Sequence, residues 1–162
     1  MITQLIGHVG VDSGQLLLCD PCYIDSEWEH EDFEDTRLYE NIFTKDVLEY
    51  RKDFINYQTP VSPKKKYGGM NMNELLATGE WKEIKNHYVK NNFSYNACAK
   101  ATLSEDGHGQ LNFKLGHTGA GVAFRTAFGD GMYPVIANYM DDGTLRSVEV
   151  VFQDEDVDDL DD

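Results

Sequence analysis

Residues 110–152 read QLNFKLGHTGAGVAFRTAFGDGMYPVIANYMDDGTLRSVEVVF, and their patterning decides the fold class. Leu111, Phe113 and Leu115 alternate with Asn112 and Lys114, the period of two that marks a half-buried strand. Residues 116–121 form a glycine-rich turn. Beyond it, Val122, Phe124, Thr126 and Phe128 fall on one face and Ala123, Arg125 and Ala127 on the other. Residues 135–140 and 145–152 then predict a hairpin closed by Asp141-Asp142-Gly143-Thr144. Upstream, residues 98–103 are expected to pair as a strand with residues 110–115 across the loop 104–109. Short strands joined by Gly and Asp turns predict a mainly β protein, an antiparallel β-sandwich or partly open barrel.

At the front, residues 5–11 and 15–20 flank Asp12-Ser13-Gly14, which predicts another hairpin completing the sheet system. Cys19-Asp20-Pro21-Cys22 ends its second strand, because proline cannot donate to a ladder. Between front and back lies a more helical region, about residues 26–92. A helix is expected within residues 43–57, capped by Thr44, and Pro60 and Pro63 interrupt the chain beyond it. A second is expected over residues 73–90, where Leu75 and Leu76 precede Gly79 and Trp81, Ile84 and Tyr88 recur at helical spacing. That stripe reads as core packing. The organisation is one β-rich domain, residues 1–153, with a helical insertion. No internal repeat is evident.

The chain of 162 residues has 29 acidic and 14 basic side chains, a net charge of −15, with 41% hydrophobic and 27% charged residues. This is globular composition, about one domain in length. No apolar run approaches the 18 to 20 residues needed to span a membrane, and Met1-Ile2-Thr3-Gln4 lacks the basic start of a secretory signal. Three cysteines make no disulfide scaffold, and an acidic chain with few thiols fits a reducing cytoplasm. Direct nucleic-acid binding is not expected, because phosphate contacts need basic charge. The only basic cluster, Lys64-Lys65-Lys66, lies between Pro63 and Gly68 and reads as an exposed loop. Residues 154–162, DEDVDDLDD, hold seven acids and are expected to form a disordered tail. Such a tail serves solubility, or binds a basic partner or imitates nucleic acid. A second acidic run comprises Glu27, Glu29, Glu31, Asp32, Glu34 and Asp35.

Two motifs carry chemistry. Cys19 and Cys22 have the spacing of a redox pair or of half a zinc site, and also suit ordinary reduced thiols. No second close-spaced ligand pair accompanies them, so neither a bound metal nor a cofactor is expected. The other candidate is a polar cluster. Asp20 and Asp130 would act as acid–base groups, with Arg125 neutralising an anionic substrate. Tyr23 and Tyr133 would orient a ligand, and Asp12 and His117 would contribute to binding. The cluster requires the segment near Asp20 to meet Gly129-Asp130-Gly131 in space. The alternative is a set of Asx turns in a satisfied structural network. Gly116-His117-Thr118-Gly119-Ala120-Gly121 lacks the lysine of a phosphate-binding loop and reads as a tight turn.

Val11-Asp12-Ser13-Gly14-Gln15 with Cys19-Asp20-Pro21-Cys22-Tyr23, followed by Gly121-Val122-Ala123-Phe124 and Gly129-Asp130-Gly131-Met132-Tyr133-Pro134-Val135, resembles the DUF4241 group of bacterial and phage proteins. The resemblance covers roughly residues 9–25 and 119–152. It implies a shared β fold, marks Asp12, Asp20, Asp130 and Tyr133 as family-pattern positions, and implies no reaction. The functional expectation is a small acidic cytoplasmic interaction protein, phage-encoded and acting on a basic host protein, as a monomer or homodimer. The alternative is a hydrolase or metal-assisted enzyme acting on a small polar or phosphorylated ligand.

Overall fold

Alternation of side chains carries directly into strands. The computed structural model describes residues 1–85 and 91–153. Its elements are β1 (Ile2–Val11), β2 (Gln15–Cys19), α1 (Tyr23–Ser26), β3 (Leu38–Asn41), β4 (Val47–Glu49), α2 (Met72–Ala77), β5 (Trp81–Glu83), α3 (Tyr95–Leu103), β6 (His108–Asn112), β7 (Thr118–Arg125), β8 (Gly131–Tyr139) and β9 (Leu145–Val150). The fold is mainly β. Its strands pair antiparallel in three open three-stranded sheets, ordered β1-β8-β9, β2-β7-β6 and β4-β3-β5. The β8–β9 hairpin forms as the sequence predicts: Asp142 accepts from the Thr144 N–H at 2.9 Å and closes its turn.

The front hairpin does not form. β1 pairs with β8, from Ile2 opposite Tyr139 to Val11 opposite Gly131, whereas β2 pairs with β7, from Gln15 opposite Arg125 to Cys19 opposite Gly121. The chain crosses from one sheet to the other at Asp12-Ser13-Gly14. Turn residues mark a reversal of direction and leave the partner unspecified. Phe152, just beyond β9, joins the two sheets: its ring lies 5.2 Å from Tyr133 on β8 and 6.3 Å from Phe124 on β7.

Residues 98–103, expected as a strand, belong to helix α3. Ser94 caps it by accepting the Ala97 N–H at 3.0 Å. Ala97 and Ala101, one helical turn apart, lie fully buried against Leu111, Ala123 and Phe93. Alanine has the highest helix propensity, and its small side chain lets the helix sit close to the sheet. A methyl group at Gly109 on β6 would come within 2.9 Å of the Ala101 Cβ.

The region expected to be a helical insertion contains α2 but also the sheet β4-β3-β5, with its own core of Tyr39, Leu48, Phe54, Val61, Met72, Leu75 and Trp81. The helix predicted over residues 43–57 is replaced by the β3–β4 hairpin and turns. Asn41 accepts from the N–H groups of both Phe43 and Thr44 at 2.9 Å, so its side chain closes the hairpin instead of letting Thr44 cap a helix. The helix predicted over residues 73–90 stops at Ala77. It begins with a capping box between Asn71 and Glu74 and ends at Gly79, whose φ of 74° is a left-handed helix terminus. Trp81 is core, as its apolar character implies, but from strand β5. Tyr88 and the end of that predicted helix lie outside the described residues, as does the acidic tail 154–162.

Candidate functional site

The front and late motifs do meet, at the crossing between the two main sheets. Asp130 accepts the Gly14 N–H at 2.8 Å, and Gly14 in turn accepts the Thr126 N–H at 3.1 Å. The Gly129 carbonyl accepts from the Thr126 hydroxyl at 2.7 Å and from the Tyr133 hydroxyl at 2.8 Å. Asp130 therefore fastens one turn to another, and Tyr133, only 6% exposed, is a core residue whose hydroxyl is used on the backbone. Asp12 is exposed beside this junction.

Asp20 is not part of the junction. It lies past the far end of β2, six residues from Gly14, a separation of about 20 Å along an extended strand. Its carboxylate accepts the Cys22 N–H at 3.0 Å in an Asx turn, and this bond holds its pKa below the usual range. Tyr23 and His117 gather near that end around Phe113: the Tyr23 ring meets it edge-on at 4.8 Å and the His117 ring stacks on it at 4.5 Å. Arg125 lies at the Gly14 end, opposite Gln15, on the same sheet face as Ala123 and Leu17. That face packs on α3. Leu16 and Leu18, on the other face, share the side expected for Asp20. The predicted cluster is thus divided among separate places. Asp130 and Tyr133 hold the sheet junction, Asp20, Tyr23 and His117 occupy the opposite end, and Arg125 points toward α3.

Cys19, Cys22 and Cys98 are free thiols. Burial pushes the Cys19 thiol up, with the Asp20 charge adding to it, and the hydrogen bond with Asp20 raises that of exposed Cys22. Cys98, 4% exposed, is pushed up to about 11 by burial. Raised thiol pKa values lower the thiolate fraction that redox chemistry and metal ligation need. No group of three or more His, Cys, Asp and Glu side chains is placed to hold a metal ion among the described residues.

The acidic run after α1 does internal work that its composition does not signal. Glu27 accepts the Lys114 N–H at 2.8 Å, Glu29 accepts from Asn92 at 2.8 Å, and Glu31 accepts from Asn96 at 2.8 Å. The Asn96 side chain, 1% exposed, also accepts the Glu34 N–H at 2.9 Å. Asn92 and Asn96 escape a reading of the sequence because an asparagine just before a helix, or in its first turn, reads as a local cap or turn residue. Here both clip an extended segment onto the start of α3.

Charge is divided by sheet system. Residues 1–36 together with 91–153, which build the two main sheets and α3, carry 15 acidic and four basic side chains. Residues 37–85, which build the third sheet, carry seven acidic and nine basic ones. The seam between them holds a cavity of about 380 Å³, lined from both sides, with Arg37, Lys85, Lys100 and Arg125 among its walls. Among the described residues, no helix is long and apolar enough to cross a membrane.

Comparison with family models, with curated proteins and with solved structures returns no match. The resemblance to the DUF4241 group rests on the quoted motifs alone.

Proposed function

We propose that the protein is a cytoplasmic interaction protein that captures a basic partner through its two-sheet unit. The observation that carries this reading is the division of charge: 15 acidic against four basic side chains on that unit, and an excess of bases on the third sheet. Such a division orients an approaching cation toward one side and raises the association rate at low salt. Asp12, Asp25 and Asp32 are exposed there. Three free thiols support the cytoplasmic setting. If the chain is phage-encoded, the basic partner is a host protein. The hydrolase reading needed Asp20 and Asp130 in one site, and their separation removes its geometric support.

The test is a titration of the full chain against a fluorescein-labelled lysine-rich peptide at two salt concentrations. Binding should weaken roughly tenfold or more between low and physiological salt, as screening shortens the reach of surface charge. Replacing Asp12, Asp25 and Asp32 together by Asn should weaken it further. Binding indifferent to salt, or abolished by deleting residues 154–162 and untouched by the triple substitution, would refute the assignment to the folded unit.

A further inference from the structure

We infer that the seam cavity is a binding site for a small carboxylate carrying an apolar body. Its lining concentrates four of the 14 basic residues in a strongly acidic chain: Arg37, Lys85, Lys100 and Arg125. Two of the four are already engaged. Arg37 makes a two-pronged contact with Asp35 at 2.9 and 3.0 Å, and Lys100, 7% exposed, lies 3.4 Å from Glu34. Arg125 and Lys85 make neither an ion pair nor a side-chain hydrogen bond among the described residues, so both remain available to a ligand.

The Arg125 guanidinium lies across Gly107, where any added Cβ would stand 2.8 Å from Nη2 and 3.2 Å from Cζ, so the absence of a side chain at Gly107 makes the space the guanidinium occupies. A planar fork of N–H donors suits a carboxylate, and Lys85 adds a point charge. Phe33, Ile84 and Leu103 supply the apolar wall, with Phe33 and Leu103 exposed by 41% and 57%. The size is that of the smaller ligand cavities, and location between two packed units is common for them. Charge selects among oxyanions. Among the described lining residues, four bases stand against the three acids Glu34, Asp35 and Glu83, an excess of one positive charge that matches a carboxylate and not a doubly charged phosphate ester.

The experiment follows amide resonances of the full chain during titration with phenylacetate, and in parallel with phenylacetamide and phenyl phosphate. Phenylacetate should shift signals of residues 33–37, 83–85, 100–103 and 125, and phenylacetamide should leave them in place. Arg125→Gln and Lys85→Gln should each weaken phenylacetate binding at least threefold, while Lys64→Gln, at a residue that does not line the cavity, should not. Equal binding of the amide, shifts confined to other residues, or affinity unchanged in both cavity variants would overturn the site. Phenyl phosphate binding more tightly than phenylacetate would overturn the charge selection. This site is independent of the basic-partner surface, whose loss would leave the phenylacetate result unchanged.

Discussion

Asp130 shows how a carboxylate that looks catalytic in a sequence is used structurally. Flanking glycines free the backbone around it, and the freed chain turns its carboxylate onto the Gly14 N–H. Asp20, followed by proline, accepts from Cys22 in the same manner. Local sequence singles out both residues but says nothing about the distance between them, because that distance is set by which strands pair. Asp130→Ala removes a charge-assisted acceptor from the crossing of two sheets. It is expected to destabilise the fold by about 1 kcal/mol, read as a lower urea midpoint with unchanged slope. A midpoint equal to that of the parent protein would show that the bond is not needed. Arg125 stands out in the sequence as a spare cation, yet its direction depends on strand parity, and that places it on the helix-facing side with Ala123.

Among the elements, contiguous ones are legible and distant pairings are not. The β8–β9 hairpin arises from alternation and an Asp-Gly turn lying between its strands. β1 and β2 carry similar signals, yet each finds its partner beyond residue 117, and no local feature names it. Helix α3 is easily misread because Cys98, Thr102 and Leu103 suit a strand. The better signals are Ser94 in the capping position and alanines at 97, 99 and 101. Ser94 is completely buried, and its hydroxyl satisfies a helix N–H that water does not reach. Ser94→Ala should therefore cost about 1 to 2 kcal/mol, with Ser94→Asp or Ser94→Thr recovering part of it, measured by chemical denaturation. An Ala variant as stable as the parent would mean that another group serves the cap.

At the scale of the molecule, the acidic excess both supports the proposed function and burdens the fold. Fifteen acids on one unit repel one another, and several, such as Glu29 and Glu31, are fixed in place by Asn92 and Asn96. Raising salt screens that repulsion, so the thermal midpoint should rise by about 2 to 4 °C for each kcal/mol recovered as sodium chloride goes from low to physiological concentration. A midpoint that falls with salt would indicate that attractive pairs dominate the surface. The net charge is plain in the sequence, whereas its division into an acidic unit and a slightly basic one emerges only when residues 1–36 and 91–153 are seen to fold together. The long reach of β1 has a consequence for biosynthesis. Thr3 hydrogen-bonds to Asn138, 135 positions later, so β1 waits without its ladder while the 135 residues that follow Thr3 are translated. During that interval the backbone N–H and C=O groups of the nascent β1 form an unpaired edge, which makes it a natural client for chaperones before the sheet closes.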